Sequence, residues 1–176
     1  MLLKQEHFAT VMEENLLIAR YDSNGMAVCP ICRNEGYEVD KITVLIHVSE
    51  KKWPLEDAKY YFCENPNCEV VYFTETSHTI LKKEDVKTKV TFKEKTSPKP
   101  LCYCKQVTEE DVLRAIERGA KTVDEVKGMT GIGGGGMCKY TNPSGRCCSR
   151  SYTSFIEKAL KNKLRDNSHP VILNIK

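Results

Sequence analysis

The chain has 176 residues, 40% hydrophobic and 29% charged, with a formal net charge of +3. That length suits one domain or two small ones, and so ordinary a composition names no function. The charge surplus is too small to argue for nucleic acid, and the lysines are spread along the chain as on a solvated surface.

The first residues show no cationic start followed by a long apolar run. The stretch Leu16–Ala19 is too short for a signal-peptide core or a membrane span, so the expected location is cytoplasmic. Phe8, Val11, Met12, Leu16 and Ala19, at spacings of three and four, predict an amphipathic helix over 4–19 within an amino-terminal extension, 1–25.

Residues 26–96 predict a small β-rich domain. Ile42, Val44, Ile46 and Val48 alternate with Thr43, Leu45 and His47, which predicts a strand. Tyr60–Phe62 runs into Cys63, Val70–Phe73 leaves Cys68, and Val86, Thr88, Val90 and Phe92 alternate again. Residues 93–100 carry two prolines and no apolar residue, the composition of a linker.

From Leu101 the periodicity is helical, over a predicted domain of 97–165 with a tail at 166–176. Thr108–Asp111 is a capping signature, with Val107 and Val112 as its hydrophobic staple. Val112, Leu113 and Ile116 predict the buried stripe and Gly119 the stop. Thr122–Glu125 opens a second, short helix ending near Gly128. Tyr152, Phe155, Ile156, Ala159, Leu160 and Leu164 trace a third. The predicted class is α+β, a zinc-ribbon-like domain followed by a helical one.

The chemistry lies in nine cysteines, eight of which make two sets of four once one of the adjacent Cys147 and Cys148 is left over. A cytoplasmic compartment keeps thiols reduced. The odd total, the Cys-x-Cys spacing and the adjacent Cys147 and Cys148 fit poorly with disulfides, so the cysteines point to metal. Cys29-Pro-Ile-Cys32 and Cys63-Glu-Asn-Pro-Asn-Cys68 are two short turns separated by β structure, the spacing of a zinc site. A closed shell of four thiolates leaves no position for water, so this zinc would be structural. His47 and His78 are rival ligands, though a lone histidine on a strand is more often packed or at the surface.

The second set is Cys102-Tyr-Cys104, Cys138 and the pair Cys147-Cys148. The x1 spacing is unsuited to a zinc knuckle, whereas a [2Fe–2S] rhomb takes two thiolates per iron and tolerates varied spacings. Five glycines, Gly131 and Gly133–Gly136, precede Cys138, as expected where backbone passes close to a cluster. A phosphate loop would need a Lys-Ser/Thr after the last glycine, and none is there.

Residues 101–148 resemble the bacterioferritin-associated ferredoxin (BFD-like) [2Fe–2S] fold: Cys-x-Cys, two short helices, then a glycine-rich turn into the third cysteine. That family usually ends in Cys-x2-Cys, where this chain has Cys138 followed by Cys147-Cys148. With Cys29-Pro-x-Cys32 and Tyr61-Phe-Cys63-x-Asn-Pro-Asn-Cys68-x-Val-Val-Tyr-Phe73, the chain resembles the amino-terminal domain of CopZ-type copper chaperones over roughly 26–150. The resemblance implies one zinc on Cys29, Cys32, Cys63 and Cys68, and one [2Fe–2S] cluster on Cys102, Cys104, Cys138 and Cys148. Spacing alone leaves Cys147 open as the last ligand.

Gly133, Gly134, Gly135, Gly136, Lys139 and Arg146 are candidates for surrounding the cluster, with Lys105 a further cation near it. The resemblance implies one-electron transfer linked to copper or heavy-metal handling, by reduction of Cu²⁺ or of a metallochaperone. The partners would be a redox protein, a copper ion or a copper-handling protein, with neither membrane nor nucleic acid. Chaperones of this type also carry a Met-x-Cys-x-x-Cys loop, absent from these 176 residues, so copper delivery by this polypeptide is unsupported. The alternative is a regulatory or nucleic-acid- or protein-binding module with a sensing cluster, for which a clustered basic and aromatic face is lacking. Ordinary enzyme chemistry finds no nucleophile–base pair. Asp111 and Glu125, its best carboxylates, read as helix caps.

Overall fold

The structure, a computed structural model, describes residues 27–167, so the helix expected over 4–19 lies outside the described residues. Contacts divide the chain into two compact units. The first ends at Glu94 and also includes Pro143–Gly145; the second comprises Lys95–Asn142 and resumes at Arg146.

The first unit is an antiparallel sheet of four strands in sequence order: β1 (Gly36–Val39), β2 (Tyr60–Cys63), β3 (Val70–Thr74) and β4 (Ile80–Lys82). Its registers pair Gly36 with Cys63 and Tyr60 with Thr74. β2 and β3 are buried on both faces, which explains runs as apolar as Tyr-Tyr-Phe-Cys and Val-Val-Tyr-Phe. Alternation divides β2: Tyr60 and Phe62 join a core with Tyr37, Val39, Val44, Val71 and Tyr72, whereas Tyr61 and Cys63 join Ala27, Cys29, Cys68, Val70 and Phe73. A register shift between Val70 and Tyr72 lets Val70 and Phe73 share the sulfur-bearing side. The buried Tyr72 hydroxyl donates to the Pro143 carbonyl at 2.6 Å, so part of the long insert between Cys138 and Cys147 belongs to this unit.

Two strand expectations are overturned. Residues 41–47 form a helix, α1 (Lys41–His47), rather than a strand. Thr43, Val44, His47 and Val48 are buried, while Ile42 and Ile46 are 44% and 37% exposed, so burial repeats at helical spacing. The β-branched preference for strand is weak and yields to packing on one face. The alternation from Val86 to Phe92 likewise forms no strand. Val86 makes a single bridge to Val48, and Thr91–Lys93 is a 3₁₀ turn. Among the described residues that bridge is the segment's one pairing, so the alternation has no ladder to join.

The second unit opens with a short antiparallel pair, β5 (Pro100–Cys102) and β6 (Val107–Thr108), followed by α2 (Glu109–Glu117) and α3 (Val123–Thr130). After these come one turn, α4 (Cys138–Thr141), and the long α5 (Ser149–Asn167). The α2 box forms as expected: the Asp111 amide donates to Thr108 Oγ1 at 3.3 Å and the Thr108 amide to Asp111 Oδ2 at 2.9 Å. Thr122 caps α3 by accepting from the Glu125 amide at 3.1 Å. Two details differ. Leu113 is 42% exposed, since its neighbours Val112, Ala115 and Ile116 fill the stripe. The helix α3 runs past Gly128 to Thr130 and stops at Gly131, whose φ of 71° is left-handed. The core is Leu101, Cys102, Val107, Val112, Ala115, Ile116, Ala120, Val126, Ile132, Tyr152 and Ile156. Among the described residues no helix is long and apolar enough to cross a membrane.

Asp85 ties the turn after β4. Its carboxylate accepts from the Lys82 amide at 2.9 Å and meets the Lys52 ammonium at 2.9 Å. Burial pushes its pKa up, but the Lys82 amide and the Lys52 charge together bring it below the usual aspartate value of 3.8. A carboxyl with a depressed folded pKa contributes stability above its unfolded pKa and loses it as pH falls through the folded one. The stability difference between the wild type and Asp85→Asn, from denaturant unfolding, is therefore expected to be full at neutral pH and to shrink as pH falls below 3.8. A difference that grows on acidification contradicts this account.

Candidate metal centres

The first centre forms where two turns face each other. In one, the Cys29 amide donates to the Asn34 carbonyl at 2.8 Å and the Arg33 amide to the Cys29 carbonyl at 3.0 Å, with Arg33 left-handed at φ 62°. In the other, Asn65 Oδ1 accepts from the Asn67 amide at 3.0 Å, a turn that brings Cys68 back to Cys63 at the end of β2. The four sulfurs of Cys29, Cys32, Cys63 and Cys68 all lie within 4.8 Å of one another. Cys29 and Cys68 are 3.9 Å apart, and Cys32 and Cys63 3.6 Å. Four sulfurs ~2.3 Å from a common Zn²⁺ stand about 3.8 Å apart in a tetrahedron, close to the two spacings of 3.9 and 3.6 Å.

Electrostatics point the same way. The Cys63 side chain, with the amides of Cys32 and Ile31, brings Cys29 down to about 5, although burial opposes this. Hydrogen bonding to Cys29, followed by burial, pushes Cys63 far up. Thiolates this close repel one another, so one ionises at the expense of its neighbours. A dication lets all four ionise together.

Neither rival histidine joins this group. His47 is buried against Thr88, with Nδ1 2.8 Å from Thr88 Oγ1, and His78 is exposed. Lys93, by contrast, was invisible in a charged linker-like run yet is only 3% exposed. Its ammonium donates to the Asn65 carbonyl at 2.6 Å and the Cys68 carbonyl at 3.1 Å, and lies 5.4 Å from the Phe92 ring centre. It thereby clamps the loop between Cys63 and Cys68 and places a positive charge beside the thiolates.

The second set gathers differently, as two pairs. Cys102 ends β5, Cys104 lies in the following turn, Cys138 starts α4, and Cys148 precedes α5. The Cys104 and Cys138 sulfurs are 3.4 Å apart, and Cys148 hydrogen-bonds with Cys102. Two thiolates for each of two irons is the demand of a [2Fe–2S] rhomb, which an arrangement in two pairs would suit. Cys148 is half-buried and raised to about 11, by burial and then by the charge of Cys102. Cys138 is raised to about 12, by burial and then by Cys104. Cys147 is exposed, with its side chain bonded to Ser149 and Cys138.

Donors surround this set that spacing did not disclose. Thr141 Oγ1 is 3.0 Å from the Cys104 sulfur, and the Met137 amide points at the same atom. The Tyr103 amide serves Cys148. Of the glycines expected around the site, Gly135 is the one packed on a cysteine: a Cβ there would fall 2.3 Å from Cys104 Cβ. Gly133 (φ 85°) instead makes way for Tyr152, whose hydroxyl would lie 2.4 Å from an added Cβ. Gly134 faces the Gly131 carbonyl and Lys105, and Gly136 faces open space. Lys139 and Arg146 are exposed.

Comparison with known proteins matches residues 26–87 to the CopZ-type zinc binding domain and residues 100–144 to the BFD-like [2Fe-2S] binding domain. The copper chaperone CopZ of Archaeoglobus fulgidus is 46% identical over 123 residues, covering 70% of this chain and 58% of that protein. The chain thus spans rather less than two thirds of that relative's length. The X-ray structure of the A. fulgidus CopZ N-terminal domain superposes with a TM-score of 0.63 at 40% identity, covering 82% of this chain and 99% of that one.

Gly135→Ala is expected to abolish iron retention, because the new methyl collides with Cys104, whereas Gly136→Ala retains it; iron analysis of the purified variants checks the pair. Lys93→Met leaves two carbonyls of the Cys63–Cys68 loop without their donor and is expected to cost about 1–3 kcal/mol in denaturant unfolding. It should also speed zinc loss to a chelator, and an unchanged release rate removes Lys93 from the account of the site.

Proposed function

Since the chain belongs to the family of CopZ amino-terminal domains, with a zinc-binding and a BFD-like [2Fe–2S]-binding part, we propose that it is a one-electron carrier in copper handling. In this reading Cys29, Cys32, Cys63 and Cys68 hold a structural zinc, and Cys102, Cys104, Cys138 and Cys148 hold the cluster. The observation that carries it is the contrast between one buried knot of four sulfurs and one set split into two pairs.

A bound [2Fe–2S] cluster would take up a single electron, gaining one unit of negative charge, and lose that charge on giving the electron back. The chain's own residues set how well that charge is tolerated. The Met137 and Tyr103 amides direct donors at cysteine sulfurs, and such donors favour the more negative state. Gly135 lets the backbone approach Cys104 closely enough for the neighbouring amide to reach it. The half-buried Cys104 and Cys138 leave a short path to solvent, so an acceptor can come near without unfolding the unit. The acceptor is Cu²⁺ or a copper-handling protein, in keeping with the copper chaperone among the relatives. Zinc in the closed first site takes no part, because no ligand position is open to substrate.

The deciding experiment is metal and sulfide analysis of anaerobically purified protein, followed by titration of the chemically reduced form with Cu²⁺. Two irons and two sulfides for each zinc are expected, with one Cu²⁺ consumed per electron stored. Cys148→Ala should lose the visible absorption and Cys147→Ala keep it. Protein that carries no iron, or that stays reduced with excess Cu²⁺ and with copper-handling partners, refutes the reading.

A further inference from the structure

We propose that the exposed side of the second cysteine set is a docking surface for an acidic electron-transfer protein, an inference that rests on the redox reading above. From Thr130 to Ile156 there is not one Asp or Glu, although 24 acidic residues spread evenly over 176 would put three or four there. The same stretch carries Lys139, Arg146 and Arg150, and Lys105 follows Cys104 directly. Each of these four cations stands one or two positions from a cysteine of the set, and all four side chains are exposed. Among them Met137 and Tyr140 are 56% and 42% exposed, apolar groups at the rim of a site whose glycine loop offers no side chain to cover it. Lys105 also lines an open recess with Arg118 and Met129, where Arg114 is paired with Asp111.

Two uses of these charges can be told apart. A cation that serves the metal site from within is buried and bonded at close range, as Lys93 is beside the first set. The four cations here are exposed rather than buried, so their field reaches whatever approaches. A cationic rim about a small apolar centre is the pattern of a fast, weak encounter, in which charge steers the partner and the apolar contact fixes its pose. The complementary partner presents carboxylates around its own redox group. A nucleic acid fits less well, since phosphate tracking calls for a longer run of cations than these four.

The test uses the full chain loaded with iron. Flavodoxin serves as the acidic one-electron probe and cytochrome c as the basic one. One electron passes between the reduced and oxidised proteins, with no bond made or broken. The second-order rate constant with flavodoxin should fall by about tenfold or more as salt screens the surface, while that with cytochrome c stays flat or rises. In Lys105→Glu/Arg150→Glu the salt dependence with flavodoxin should flatten or invert. The sign of that dependence reports surface charge whatever the substitutions do to the potential.

The surface is overturned by salt-independent exchange in the wild type or by a salt dependence the double variant leaves unchanged. Duplex DNA that displaces flavodoxin at low salt overturns it too, and assigns the cations to phosphate. Iron-loaded protein that exchanges electrons with neither probe defeats the redox reading itself, and the surface with it. Exchange that ignores charge defeats the surface alone.

Discussion

Repulsion among crowded thiolates is the constraint around which the first unit is organised. Cys29, Cys32, Cys63 and Cys68 are brought within 4.8 Å in a nearly closed pocket, where their negative charges cannot coexist without compensation. The fold compensates locally: amides of Ile31, Cys32, Asn65 and Val70 donate to sulfurs, and the buried Lys93 ammonium sits against the loop that carries two of them. A dication bound there would complete the balance, and its binding free energy would then be part of the folding free energy of a small sheet.

The second set shows how spacing alone changes the outcome. In an extended chain, residues two apart on the same face stand about 6.6 Å apart, too far to share one small ion without a turn. Cys102 and Cys104, at the end of β5 and just beyond it, accordingly find partners elsewhere, Cys148 before α5 and Cys138 at the start of α4. The x2 turn at Cys29 and the Asn65-centred turn at Cys63 do the reverse and fold both members of each pair inward. One sequence thus holds a knot for a single ion and a frame for a larger group.

The cysteine sets, both helix caps and strands β2 and β3 were legible in the sequence, because each rests on chemistry local to a few residues. Misread segments are those where long-range packing decides. Ile42–Val48 has a strand's composition and alternation, but burial of Thr43, Val44 and His47 on one side winds it into a helix. Val86–Phe92 alternates equally well, but among the described residues its pairing stops at the single bridge from Val86 to Val48. Lys93 looked solvated because nothing in the run Lys-Glu-Lys says that a loop 25 residues upstream will present two carbonyls to it. Thr141 and the Met137 amide were hidden for a similar reason, since their value comes from where Cys104 ends up. The glycine run reads as a close approach, yet only the structure separates Gly135, which needs it, from Gly136, which does not.

Strand β2 carries aromatic rings on one face and sulfur on the other: Tyr60 and Phe62 enter the ring-lined core, Tyr61 and Cys63 the metal side. Because side chains alternate with a period of two, sliding β2 by one position would send Cys63 among the rings and Phe62 among the thiolates. Such a misaligned sheet could still bury its hydrophobic area, so greasiness by itself discriminates poorly between the two alignments. Only the correct one completes the tetrahedron. Capture of an ion there would therefore act as a proofreader of strand alignment, rewarding one arrangement of an otherwise ambiguous ribbon.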